Sequence, residues 1–220
     1  MRRRIRVNKM VSDMATIGRD YALAFGPQSA APAEEPGFRF RLVTAGRLLL
    51  PSGRIVACDP LVTGPRHTLQ QVVLPGKYAV DLALRETGQG EEYVAMARLL
   101  FNSRMPTVWV PAAAIAPARP NPHHTRSTAF RSESGTAAFL DADAMDLANF
   151  DDFEEIDDLL YLLTGNYRPH RFWMEYGLDR RYNMVLFSSG RGAGVYTSYF
   201  GIDAGGDIAV LVTDFDLLVP

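Results

Sequence analysis

The chain lacks most of the residues that staple or anchor a protein. It has one cysteine, Cys58, among 220 residues, so no intramolecular disulfide can form and a reducing compartment is expected. No run approaches the roughly 18 apolar residues of a membrane helix. The start, MRRRIRVNKM, is basic with no apolar stretch behind it, which argues against a secretory signal and for a cytoplasmic protein. A formal net charge of −2 selects no class of partner. Familiar catalytic signatures are missing too. There is no Gly-x-Ser-x-Gly elbow. Asp141-Ala-Asp143-Ala-Met-Asp146 has acids at alternate positions but no glycine at the sixth, so it reads as a helix entry rather than a calcium loop. His123 and His124 sit in a proline-rich stretch with no cysteine or third histidine at ligand spacing. No metal and no cofactor are expected, and Cys58, after an apolar run, reads as a buried inert thiol.

What the sequence does have is segregated charge. Arg2, Arg3, Arg4, Arg6 and Lys9 make the first ten residues basic, whereas Asp141 to Asp158 holds nine acids and no base. Residues 1–37 read as a basic arm and linker: a weak amphipathic helix spans Met10 to Phe25, and QSAAPAEEPG follows from Gln28 to Gly37. Residues 38–220 read as a single β-rich domain, long enough to bury about 70% of its unfolded surface without staples.

Within that domain the strand signals are frequent. FRFRLV from Phe38 alternates apolar and basic residues at the strand period. Arg47-Leu-Leu-Leu runs into Pro51-Ser52-Gly53, and IVACDPLV returns, which predicts a tight hairpin. Further strands are expected at Leu69–Val73, Tyr78–Leu84, Tyr93–Phe101, Thr107–Val110, Thr128–Phe130 and Thr136–Leu140. Tyr93–Phe101 is continuously apolar enough for a central strand. The C-terminal stretch from Asn183 to Asp216 alternates three β-prone runs with two glycine-rich turns and predicts an antiparallel meander. Gly190-Arg191-Gly192-Ala193-Gly194 is then a hairpin turn with Arg191 at its tip; a weaker reading makes it a phosphate cradle. FWMEY, Phe172 to Tyr176, is open between strand and helical turn.

One helix is expected. Phe150, Phe153, Ile156, Leu160 and Leu163 fall on one face at helical spacing, with Asp151, Glu154, Glu155 and Asp158 opposite. Asn149 suits the N-cap and Gly165 the left-handed C′ position. The fold class is α+β, mostly β: a twisted antiparallel sheet or sandwich crossed by one prominent acidic helix.

Four segments together carry a family resemblance: Leu50-Pro-Ser-Gly-Arg-Ile-Val-Ala-Cys-Asp-Pro-Leu61, Leu74-Pro-Gly-Lys-Tyr-Ala-Val80, Ala97-Arg-Leu-Leu-Phe101, and Gly190 to Phe215 ending Val-Thr-Asp-Phe. In that order they resemble the bacterial family named domain of unknown function 4241, over roughly residues 43–218. The resemblance implies a shared, mostly β fold and no established activity. Two positions depart from it. Gly192-Ala193-Gly194 stands where the family pattern has an acidic Gly-Asp-Gly, and Glu133-Ser134-Gly135-Thr136 where it has Asp-Ala-Gly-Thr.

Two functions follow from the residues. The first is a non-enzymatic interaction protein, such as an immunity or antitoxin-like protein. It would present Asp151, Asp152, Glu154, Glu155 and Asp158 to a basic protein partner such as a toxin. The second is a metal-dependent hydrolase or other enzyme using Asp214 and Asp216, two apart at a strand end and so on one face, with Asp59. Nucleic acid is expected to meet only the basic arm.

Overall fold

A computed structural model describes residues 21–25, 40–62, 66, 68–86, 90–114, 129–148, 153–166, 168 and 170–217. The expected Asn149 cap, Asp151, Asp152, His67, His123, His124 and the basic residues of the arm lie outside them. Twelve strands form two sheets with only antiparallel pairings among the described residues. Sheet A runs β1 (Phe40–Leu50), β4 (Gly76–Glu86), β5 (Glu92–Leu100), β12 (Ile208–Asp214), β11 (Gly194–Asp203), β6 (Pro106–Pro111), with β7 (Ala129–Ser132) pairing the first half of β11. Sheet B runs β3 (Thr68–Val72), β2 (Arg54–Cys58), β8 (Thr136–Asp141), β10 (Asn183–Ser188), β9 (Trp173–Gly177). The fold is α+β and mostly β, with two antiparallel sheets and an acidic helix, as the patterning indicates.

The sheets face each other across a core that includes Leu50, Ile55, Leu82, Leu99, Phe139, Phe187, Phe200 and Phe215. Each outer face is also apolar, and a helix covers each. On sheet B, α2 (Phe153–Asn166) buries Leu159 and Leu163 against Val56, Leu140, Met184 and Leu186; those two leucines contribute roughly 2 kcal/mol each. On sheet A, the short helix α1 (Tyr21–Phe25) lays Tyr21 over Met96, Val210 and Val212. Although α1 falls in the segment expected to be an arm, it belongs to the packed body. This layering explains the wholly buried β8 and β10: an antiparallel strand loses its polar alternation when both its faces are covered.

The edges are closed rather than left open. Past its strand, β6 continues toward β3, where Gln70 donates its amide to Ala113 and Leu69 bridges Ala114. At the other side β1 turns its free edge toward sheet B. The Asn183 side chain accepts from the Leu49 amide (2.8 Å) and donates to the Arg47 carbonyl (2.7 Å), while Glu175 accepts from the Arg47 amide (2.8 Å). Side chains thus occupy backbone groups that would otherwise recruit another strand. A side chain on Gly46 would meet Glu175 within 3.0 Å, so glycine lets that cap approach.

Several sequence expectations need correction. Pro51-Ser52-Gly53 is a corner and not a hairpin: β1 pairs in sheet A and β2 in sheet B. Asp141 folds the corner over, accepting from the Ser52 amide (2.9 Å) and hydroxyl (2.8 Å), and the carbonyl of Gly53, at φ 69, accepts from the Val73 amide at 2.9 Å. The two runs expected at Phe38 and Arg47 are one strand, β1, with an irregularity between Thr44 and Gly46. The C-terminal meander is likewise divided. β11 and β12 form a hairpin, but β10 lies in the opposite sheet, so Ser189 to Ala193 is a crossover. The Tyr196 hydroxyl pins that crossover by donating to the Ser189 and Gly192 carbonyls. Gly165 lies inside α2 rather than past its end, with no left-handed φ.

Candidate functional site

Helix α2 carries the surface on which the interaction reading turns. Its buried stripe is Leu159 and Leu163 with Ile156 half-buried, not the predicted stripe through Leu160. Leu160 is 41% exposed, Tyr161 78% and Leu162 47%. At about 100° per residue, Tyr161 points away from the Leu159–Leu163 stripe. Asp157 and Asp158, both exposed, sit one turn earlier on its two flanks. Among the described residues no ion pair reaches Asp157 or Asp158. Glu154 and Glu155 lie in the first turn of the helix. The outward face is therefore not a plain row of acids, but an aromatic and two leucines set among carboxylates. The signal was in the sequence: five consecutive apolar residues, Leu159-Leu160-Tyr161-Leu162-Leu163, cannot all enter one helical stripe.

The three predicted catalytic aspartates form no group that could hold a metal ion. Asp214 is 3% exposed, its carboxylate accepting from the Tyr21 hydroxyl (3.2 Å) and the Asp216 amide (2.9 Å). Asp216 is exposed and adopts φ 56. The strand ends at Asp214 and the left-handed residue breaks the alternation, so the two do not share a strand face. Asp59 is 4% exposed. It accepts from the amides of Leu61 (3.0 Å), Glu133 (2.9 Å) and Ser134 (2.8 Å) and from the hydroxyls of Ser132 and Ser134. That donor set describes a clamp joining β2 to the β7–β8 turn. No cluster of three His, Cys, Asp or Glu side chains suited to a metal occurs among the described residues.

Arg191 is exposed on the crossover. The loop opens no helix: Gly192 donates to Ser189 at 2.8 Å, and β11 follows. The Arg191 charge lowers the Arg85 pKa further after burial has lowered it. Cys58 is buried, and desolvation pushes its thiol up to about 12, which suits the inert reading.

His170 and Arg171 belong to a turn. The Arg171 amide donates to the Arg168 carbonyl (3.0 Å), and His170 takes φ 60. The His170 carbonyl accepts from the Val94 amide of sheet A (3.2 Å) and the Ser188 hydroxyl of sheet B (2.8 Å), and its ring stacks on Tyr93 at 4.7 Å. Arg171 also pairs with Glu92, which Arg41 grips from the other side at 2.7 Å. The Arg41 hydrogen bond first, and Arg171 after it, hold the Glu92 carboxyl below its usual range.

A family model described as "Protein of unknown function (DUF4241)" matches residues 48–213, and the chain belongs to that family. No curated protein and no solved structure matches it. No helix among the described residues is long and apolar enough to cross a membrane.

Proposed function

We propose that this family member is a non-enzymatic interaction protein that docks helix α2 against a basic protein partner. The observation that carries the reading is Tyr161, 78% exposed, standing between Asp157 and Asp158 with Leu160 and Leu162 beside it. Aromatic side chains that desolvate fully on contact supply most of the energy of an interface. Surrounding carboxylates steer a cationic partner and set its register. The expected complex joins an apolar anchor to an acidic rim, as an immunity protein bound to a cationic toxin would.

The test places a photo-crosslinking amino acid at Tyr161 and, separately, at exposed Thr107 on sheet A. In the cells that make the protein, position 161 should yield one discrete adduct with a basic protein. That adduct should weaken in high salt and vanish when Asp157 and Asp158 are both changed to Lys. Equal adducts from positions 161 and 107, or an adduct indifferent to the charge reversal, would refute the reading.

A further inference from the structure

We propose that the cleft beside the Arg168–Arg171 turn is a binding site for a small anion carrying a planar apolar group, such as an aromatic phosphate or carboxylate. The cleft has a volume of about 310 Å³ and is lined by Gly165, Arg168, Arg171, Phe172 and Trp173. Arg168, Arg171 and Trp173 border a surface that belongs to neither the acidic face of α2 nor any aspartate considered above; Phe172 lines it too, but its ring is buried on the α2 side of sheet B, whereas Trp173 packs toward the core between the sheets. Guanidinium supplies forked donors that match phosphate and carboxylate oxygens. A ring offers the apolar wall that most ligand sites combine with a few polar groups.

The geometry is built rather than incidental. The turn hydrogen bond keeps Arg168 and Arg171 close in space, and the left-handed His170 between them is a conformation that costs a non-glycine residue energy. Contacts to both sheets hold it there, through Val94, Ser188 and Tyr93. Ser188 also accepts from the Phe172 amide at 3.3 Å, so the backbone leading into Trp173 is tied to the same anchor. Glu92 is shared between Arg41 and Arg171, which leaves that triad with a net positive charge. The opposite lip is Gly165, where an added Cβ would meet nothing within 4 Å.

Trp173 makes the site self-reporting. The chain has two tryptophans, so a Trp109→Phe background isolates its fluorescence; calorimetry on the unmodified protein checks that background. Phenyl phosphate is the probe, with inorganic phosphate and phenol as half-ligands. The expected result is saturable binding of phenyl phosphate at sub-millimolar concentration, with each half-ligand weaker. Arg168→Gln should weaken it by about tenfold or more, the loss of a charged hydrogen bond, and Arg168→Lys by less. Gly165→Leu fills the open lip without changing charge. It should abolish binding while the melting temperature holds or rises, since leucine is the better helix former. No saturable signal up to about 10 mM, a range covering very weak ligands, would overturn the site. So would unchanged affinity in Arg168→Gln and Gly165→Leu; Arg168 would then serve only to offset the negative end of α2.

Discussion

Replacing Asp59 with Asn separates a structural carboxylate from a catalytic one. The side chain is 4% exposed and accepts from three backbone amides and two serine hydroxyls. Asparagine is nearly the same shape but supplies one oxygen where the carboxylate supplies two. With that oxygen toward Glu133 and Ser134, its NH₂ group faces the Leu61 amide, donor against donor. One bond is lost, and the remaining bonds lose their charge assistance, which about halves them. At about 1.5–3 kcal/mol for a bond to a charged group, the lost bond alone costs that much. For a domain of this size each kcal/mol moves the melting temperature about 2–4 °C, so a drop of at least about 3 °C is expected by scanning calorimetry. Ser134→Ala removes a hydroxyl from the same carboxylate, so the double variant should lose less than the sum of the two singles. A catalytic aspartate behaves oppositely, because removing a buried functional charge commonly leaves stability unchanged or improves it. An Asp59→Asn protein melting within about 1 °C of the parent would refute the clamp.

Three further outcomes are expected. Gly190→Ala should prevent folding or cost well over the roughly 1 kcal/mol of a positive-φ glycine, because its Cβ would lie 2.8 Å from that of Phe215 at φ 55. Gly206→Ala, at φ 82 with nothing within 4 Å, should cost only about that 1 kcal/mol, and equal urea midpoints for the two would show the crossover is not wedged. Asp203 is held below its usual pKa first by the Asp207 amide, then by the Gly205 amide and Arg104. A depressed carboxylate stabilises above its unfolded pKa of about 3.9 and loses that contribution as pH falls through its folded value. The melting gap between the parent and Asp203→Asn should therefore be clear at pH 7 and shrink at pH 3; a constant gap contradicts the assignment. Cys58, with its thiol pushed up to about 12 by burial, should resist a disulfide reagent at pH 8 until urea unfolds the chain; prompt labelling of the native protein would show the thiol is accessible.

Much of the candidate surface was legible in the sequence. The acids before Asp158 and the helical spacing placed a charged helix, and the run Leu159 to Leu163 contained the excess of apolar residues that ends up exposed. Its phase was not legible. Among consecutive apolar residues several stripes fit equally well, and only the shape of sheet B, with Val56, Leu140, Met184 and Leu186, selects Leu159 over Leu160. The arginine cleft was also hidden, because Tyr93, Ser188 and Glu92 reach the 168–171 turn from distant parts of the chain.

By itself the sequence determined where the chain is extended, where it is helical and where it reverses, because these depend on side-chain period and on the φ each turn residue allows. It could not determine which strands are neighbours. Pro51-Ser52-Gly53 and Gly190 to Gly194 each announce a reversal, and a hairpin and a corner between sheets satisfy the same local chemistry. The choice fell to partners far along the chain: Asp141, 89 residues from Ser52, and Phe215 beside Gly190. Strand pairing is a non-local contact, decided when two apolar sheet faces close on each other, and the outer face of sheet B, by taking Leu159 and Leu163, turned Tyr161 outward.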